Sequence, residues 1–225
     1  MIEEVLVLRW VHILAMVYWL GGEWGVFQSS YNVINRALSL EERKRHMETA
    51  YRIDILARTG IILLLPLGLH MGHIYGLQPF GGGYLIAMWM FVAGWLALCW
   101  AAFFRRETDL GLTLTKIDEA IRYVLIPAIL ITGISSLLGH GPFEASEGMR
   151  WYASKLTLYG FTLCIGLGLR WIMRRWTTRF RVLALGPDPV QEAALEREIG
   201  YGRMMAYVYW VTISGICFLG TVKPF

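Results

Sequence analysis

Apolar residues gather in six windows: Val5 to Phe27, Ile53 to Leu77, Tyr84 to Phe104, Ala120 to Leu138, Trp151 to Met173 and Met204 to Val222. At about 1.5 Å of rise per residue, each is long enough to cross a hydrocarbon core about 30 Å thick. Lipid offers backbone groups no hydrogen-bond partner, so each window is expected to be a helix that satisfies its own amides and carbonyls. The pattern predicts an all-α fold, one integral membrane bundle of six transmembrane helices over residues 1–225. No extramembrane stretch is long and apolar enough to build a core of its own.

Between the windows the signals are local. Ser39-Leu40-Glu41-Glu42 has the S-x-x-E form of a capping box, which predicts a helix start that runs on into the second crossing. Pro187 to Pro189 open a charged helix, VQEAALEREIGYGR, that leads into the sixth. These two charged extensions read as solvated helix ends, with a docking surface for a partner as the alternative. YGLQPFGGG and GHGPFEASEGM carry the Gly and Pro of turns.

Composition agrees with the windows: 56% of residues are hydrophobic and 14% aromatic, and the mean hydropathy is +0.48. Of the 21 Lys and Arg residues, fourteen lie in the connections 29–57, 105–121 and 172–204, and only Arg150 and Lys223 in those on the opposite side. Basic connections stay in the cytoplasm, so both termini are expected outside, in the periplasm of a bacterial inner membrane. The acidic MIEE and the lack of a small-residue cleavage site argue against a removed signal peptide. Net charge +4 is thus mainly a topology signal, and nucleic acid is not an expected partner. Cys99, Cys164 and Cys217 all fall in apolar windows without a CxxC or CxxCH motif, which excludes covalent haem attachment and a zinc ribbon as motifs.

Several windows hold ionisable residues, which are costly in a bilayer and usually face a bundle interior. Arg9, His12, Trp19 and Glu23 form one stripe of the first helix at a 3.6-residue period. On the second, Pro66, His70 and His73 repeat at i, i+4 and i+7, and Pro66 frees a carbonyl and bends the helix. Measured from the outer ends of their windows, His12 and His70 both lie about 10 Å deep, and Lys155 of the fifth helix about 6 Å. His73 stands one turn nearer the outside and His140 at the end of the fourth helix.

Two imidazoles at one depth on neighbouring helices suit a b-type haem, whose iron takes axial nitrogens from opposite sides. The expected ligands are His12 and His70, with His73 and His140 as further candidates. Trp19 belongs to the same pocket, Gly21, Gly22, Gly68 and Gly72 give room, and Arg9, Arg150 and Lys155 are candidate propionate partners. Copper is the competing occupant, because Met71 between His70 and His73 makes a compact HMGH cluster, although no methionine array marks an entry loop. The bland readings are helix-packing histidines, tryptophans anchored at the interface and a lysine that snorkels to the surface.

LRWVHILAMVYWLGG resembles the first-helix signature of a broad group of small bacterial membrane proteins. The group includes HemJ-type protoporphyrinogen oxidases, CopD copper-resistance proteins and the membrane domain of the cytochrome-linked urate oxidase. MRWYASKLTLYGFTL is similar to the group's W-x-x-x-K-L segment through Trp151, Lys155 and Leu156, and RTGIILLLPLGL to its second-helix segment. The resemblance implies a haem b held by His12 and a role for Lys155. The longer connections and the lack of a soluble cytochrome domain depart from the group's pattern. The leading expectation is therefore a haem-b electron-transfer subunit or small oxidoreductase, with a quinone or a redox protein as partner, alone or within an oligomer. A HemJ-like porphyrinogen oxidase, a copper transport protein and a purely structural subunit are the alternatives.

Overall fold

The computed structural model describes residues 3–106 and 108–225. Six helices account for nearly all of them: α1 (Glu4–Val33), α2 (Leu40–Ile74), α3 (Gly83–Phe104), α4 (Asp109–Leu137), α5 (Arg150–Leu183) and α6 (Pro189–Val222). All six are long and apolar enough to cross a membrane. The described residues contain no strand. Met90, Val124 and Val211 expose 71%, 73% and 74% of their surface. Such an apolar exterior would be a liability in water and is the expected face towards lipid. The chain is an all-helical, multi-pass membrane protein in contact with lipid.

Each helix packs on its sequence neighbours, and α1 also touches α6, so the bundle closes into a ring. The α1–α2 contact is the most extensive. It depends on Gly60, where a Cβ would collide with the Ala15 carbonyl and stand 2.9 Å from the Trp19 nitrogen. Small residues of this kind let membrane helices approach backbone to backbone. Pro66 and Pro127 both sit inside unbroken helices.

Glu4, where α1 begins, and Phe225 lie at the same end of the bundle, the terminal end. The Trp151 amide donates to the carbonyl of Phe225 at 3.0 Å, and Glu144 N donates to Leu77 O at 2.9 Å, which ties the two turns there together. The opposite, basic end carries the three cation-rich connections.

Local starts follow the sequence. Ser39 and Glu42 form the full capping box of α2. Asp188 accepts from Val190 N at 2.9 Å and Gln191 N at 3.1 Å, with Pro189 as the first residue of α6. The extensions are not the solvated ends the charge pattern suggested. Met47, Ala50, Trp176, Phe180, Leu195 and Ile199 bury one another in a cluster at the basic end. Arg43 is only 4% exposed there and forms a two-pronged pair with Glu192 at 2.7 and 2.8 Å, while its Nε donates to Val33 O. The reason is geometric: a run of charges on a helix leaves its other face free to pack.

Losing one partner of a buried pair strands the other charge. Arg43→Ala is therefore expected to destabilise the chain by about 3 kcal/mol. A thermal melt of the detergent-solubilised protein checks this, and Glu41→Ala, at an exposed position of the same helix turn, should leave the melt unchanged.

Candidate functional site

α1 and α2 run antiparallel, and Gly60 against Ala15 and Trp19 fixes their register. His12 thereby comes level with Gly68, its Cε1 lying 3.6 Å from where a Gly68 Cβ would stand. A methyl group at Gly68 would only touch the imidazole in ordinary van der Waals contact. The His12 Nδ1 is buried and has no hydrogen-bond partner among the described residues. Buried polar atoms in folded proteins are nearly always paired, so an orphaned imidazole nitrogen calls for an explanation.

His12 faces a cavity of about 440 Å³ bounded by α1, α2, α5 and α6. Leu64, Leu65, Met71, Leu156, Tyr159 and Ile216 give it mainly apolar and aromatic walls. Its cations are Arg9, Lys155 and Lys223. Lys223 stands at the terminal end, its ammonium 4.9 Å from the Trp151 ring and 5.7 Å from that of Tyr75. Trp19, fully buried, lines the cavity on the side away from that end. The volume falls in the range of small-molecule sites, about 300–1,000 Å³.

Four of the eight residues that the sequence singled out thus meet in one cavity: Arg9, His12, Trp19 and Lys155. The other four lie outside its lining. His70 sits between the neighbours of another face: Trp89 Nε1 donates to its Nδ1 at 3.3 Å, and its Nε2 lies 3.3 Å from Glu4 Oε1. His73 packs against Gly81 in the turn before α3, and its Nδ1 is buried and unpartnered. His140 and Arg150 are exposed.

The structure therefore does not gather His12 and His70 around one space. Nor does HMGH converge, since Met71 faces the cavity while the two flanking histidines face elsewhere. Among the described residues no group of three His, Cys, Asp or Glu is placed to hold a metal ion. The glycines divide in the same way. Gly72 makes room for Tyr152, whose hydroxyl would collide with a Cβ there, Gly22 lies against Ala57, and Gly21 has nothing near it.

Compared with family models, curated proteins and solved structures, the chain matches none.

A second polar region, nearer the basic end, was missed by the histidine-led reading. Asp118 is fully buried and accepts from Trp95 Nε1 at 2.7 Å, Cys99 Sγ at 3.1 Å and Arg122 Nε at 3.4 Å, and it is also paired with Arg170. Arg122 lies over the Trp95 ring, 5.2 Å from its centroid. Asp54 pairs with Arg58 one turn along α2. The available signal was Arg58, Arg122 and Arg170, three arginines inside apolar windows, where unpaired charge is untenable. Arg58 and Arg122 share a small cavity with Glu23.

Proposed function

We propose that the chain is a haem-b membrane protein of the electron-transfer kind, which holds its haem in the larger cavity on His12. The observation that carries this reading is the orphaned His12 imidazole facing a roomy cavity with apolar walls and cations towards the terminal end. The residues fit the group in three respects. An imidazole with unspent hydrogen-bonding capacity is a suitable axial ligand, planar apolar surface matches the aromatic and aliphatic walls, and Arg9, Lys155 and Lys223 suit carboxylates. Haem b would supply a one-electron couple at this place.

What the chain's own residues contribute is binding and position. Gly60, packed against Ala15 and Trp19, sets the register that brings His12 level with Gly68, and the buried Trp19 closes the cavity's far side. The reading differs from the two-histidine expectation, because His70 is engaged with Trp89 and Glu4. Taken with the positive-inside rule, the terminal end is periplasmic and the cavity lies in the outer half of a bacterial inner membrane. A quinone or redox protein on that side would be the electron partner. The purified chain is expected to contain about one haem per polypeptide and no stoichiometric copper. Quantitation of both in the same sample checks it, and copper without haem would reverse the assignment.

One observation favours a second reading, a porphyrinogen oxidase: Lys155 and Arg9 line the same cavity as His12, so that a tetrapyrrole's carboxylates would meet two cations. Rescue of a bacterial strain deprived of its porphyrinogen oxidase, lost on Lys155→Met, would decide for it.

A further inference from the structure

Beyond the larger cavity, towards the basic end, lies a second one of about 80 Å³. It is lined along α6 from Ile199 to Tyr209 and along α1 from Glu23 to Ser30, so that it extends about 10–15 Å along the bundle axis. The larger cavity covers Arg9 to Trp19 of α1, again about 15 Å. Along α1, from Arg9 to Ser30, the two cavities and the wall between them span about 30 Å, the thickness of a hydrocarbon core.

A septum about one helical turn thick separates them. Trp19 lines one cavity and Glu23, four residues on, the other; Tyr159 and Leu163 repeat this relation on α5. Two buried hydrogen bonds cross the septum. Trp19 Nε1 donates to the Tyr209 hydroxyl oxygen at 2.9 Å, and the Tyr159 hydroxyl donates to Ile61 O at 2.7 Å.

The charged groups facing the smaller cavity come from every surrounding helix. α2 brings Asp54 and Arg58, which are paired; α4 and α5 bring Arg122 and Arg170, both held by Asp118. α6 brings Tyr209 and Arg203, whose Nε donates to Ser30 Oγ at 3.3 Å and whose guanidinium lies 3.7 Å from the Tyr31 ring centroid. Asp54 and Asp118 thus have their cations. Glu23 makes no hydrogen bond or ion pair among the described residues. The space beside it, about 80 Å³, is large enough for several waters at about 10–15 Å³ each.

We infer that the smaller cavity is a water-filled proton inlet from the basic end, with Glu23 as the group that takes up and releases the proton. The Trp19–Tyr209 hydrogen bond is the barrier that keeps this proton from the larger cavity. The step is a proton transfer alone: an O–H bond of a cavity water or hydronium breaks, one forms on a Glu23 carboxylate oxygen, and nothing is oxidised or reduced. The inference stands on the two cavities and their septum, independently of what the larger one binds.

The test uses the full chain reconstituted in phosphatidylcholine vesicles that enclose a pH-sensitive dye. Wild-type vesicles are expected to hold an imposed pH step, Trp19→Ala vesicles to lose it severalfold faster, and the Trp19→Ala/Glu23→Gln pair to return to the wild-type rate. Trp19→Phe, which keeps a ring but removes the donor, serves if the alanine variant does not fold. Infrared titration of the detergent-solubilised chain should show a protonated-carboxyl stretch that disappears in Glu23→Gln. A leak that persists with Glu23→Gln, no leak in either Trp19 variant, or an unchanged carboxyl band would overturn the inference.

Discussion

Asp118→Ala is expected to be the most destabilising single change in the chain, at about 3–5 kcal/mol. The carboxylate is completely buried and is the common acceptor for Trp95, Cys99, Arg122 and Arg170 from three helices. Its removal leaves Arg122 without a counter-charge and Arg170 with only a 3.9 Å contact to Glu119, where water is scarce, a cost far larger than the net worth of an intact pair. Asp118→Asn should fall between, since an amide oxygen still accepts from Trp95 but no longer balances the arginines. Adding Arg170→Ala to Asp118→Ala should recover part of the loss, because one stranded charge goes with it. Thermal unfolding followed by the release of detergent-solubilised monomer reads all three, and additivity of the two alanine changes would show that the groups do not act as one network.

The second large effect concerns His12. His12→Ala is expected to abolish haem retention, whereas His70→Ala should leave the haem-to-chain ratio unchanged. His12 presents an unpaired imidazole in the larger cavity, whereas His70 Nδ1 accepts from Trp89 and its Nε2 lies 3.3 Å from the Glu4 carboxylate, outside that cavity. Both variants should remain monodisperse, because neither residue is a buried packing centre: each is only partly enclosed. Haem lost from both, or from His70→Ala alone, would move the ligand assignment back to α2.

The six crossings were legible because a bilayer imposes a length and an apolar composition that no other environment demands. The capping box at Ser39 and the helix start at Pro187 to Pro189 were legible because helix starts are local chemistry. The packed basic end was not, since the charges around Arg43 and Glu192 hide the apolar faces of Met47, Ala50, Leu195 and Ile199 in any count of composition.

The same division runs through the site. Arg9, His12 and Trp19 could be grouped because a 3.6-residue stripe on one helix is visible in sequence. Helical rise put Lys155 in the same outer half, within about a turn of His12, but only packing turns it into the same cavity. The proposed partnership with His70 needed something rise cannot give, the direction in which a residue points around its helix. Gly68 faces His12, and a residue two positions further on is turned about 200° away. Gly68, Met71, Gly72 and Tyr75 keep the cavity-facing phase of α2, and His70 falls between them. Depth and azimuth are separate coordinates, and only the first was available. The arginine network around Asp118 illustrates the converse, because its members lie on three helices whose mutual rotation is a property of packing.

The central claim, a haem held on His12 within the larger cavity, is tested most directly by the reduced-minus-oxidised optical spectrum of the purified wild-type chain, expressed with adequate haem. The predicted result is a Soret band with reducible α and β bands. A chain that folds, as judged by its helical circular dichroism and monodispersity, yet shows none of these bands would contradict it.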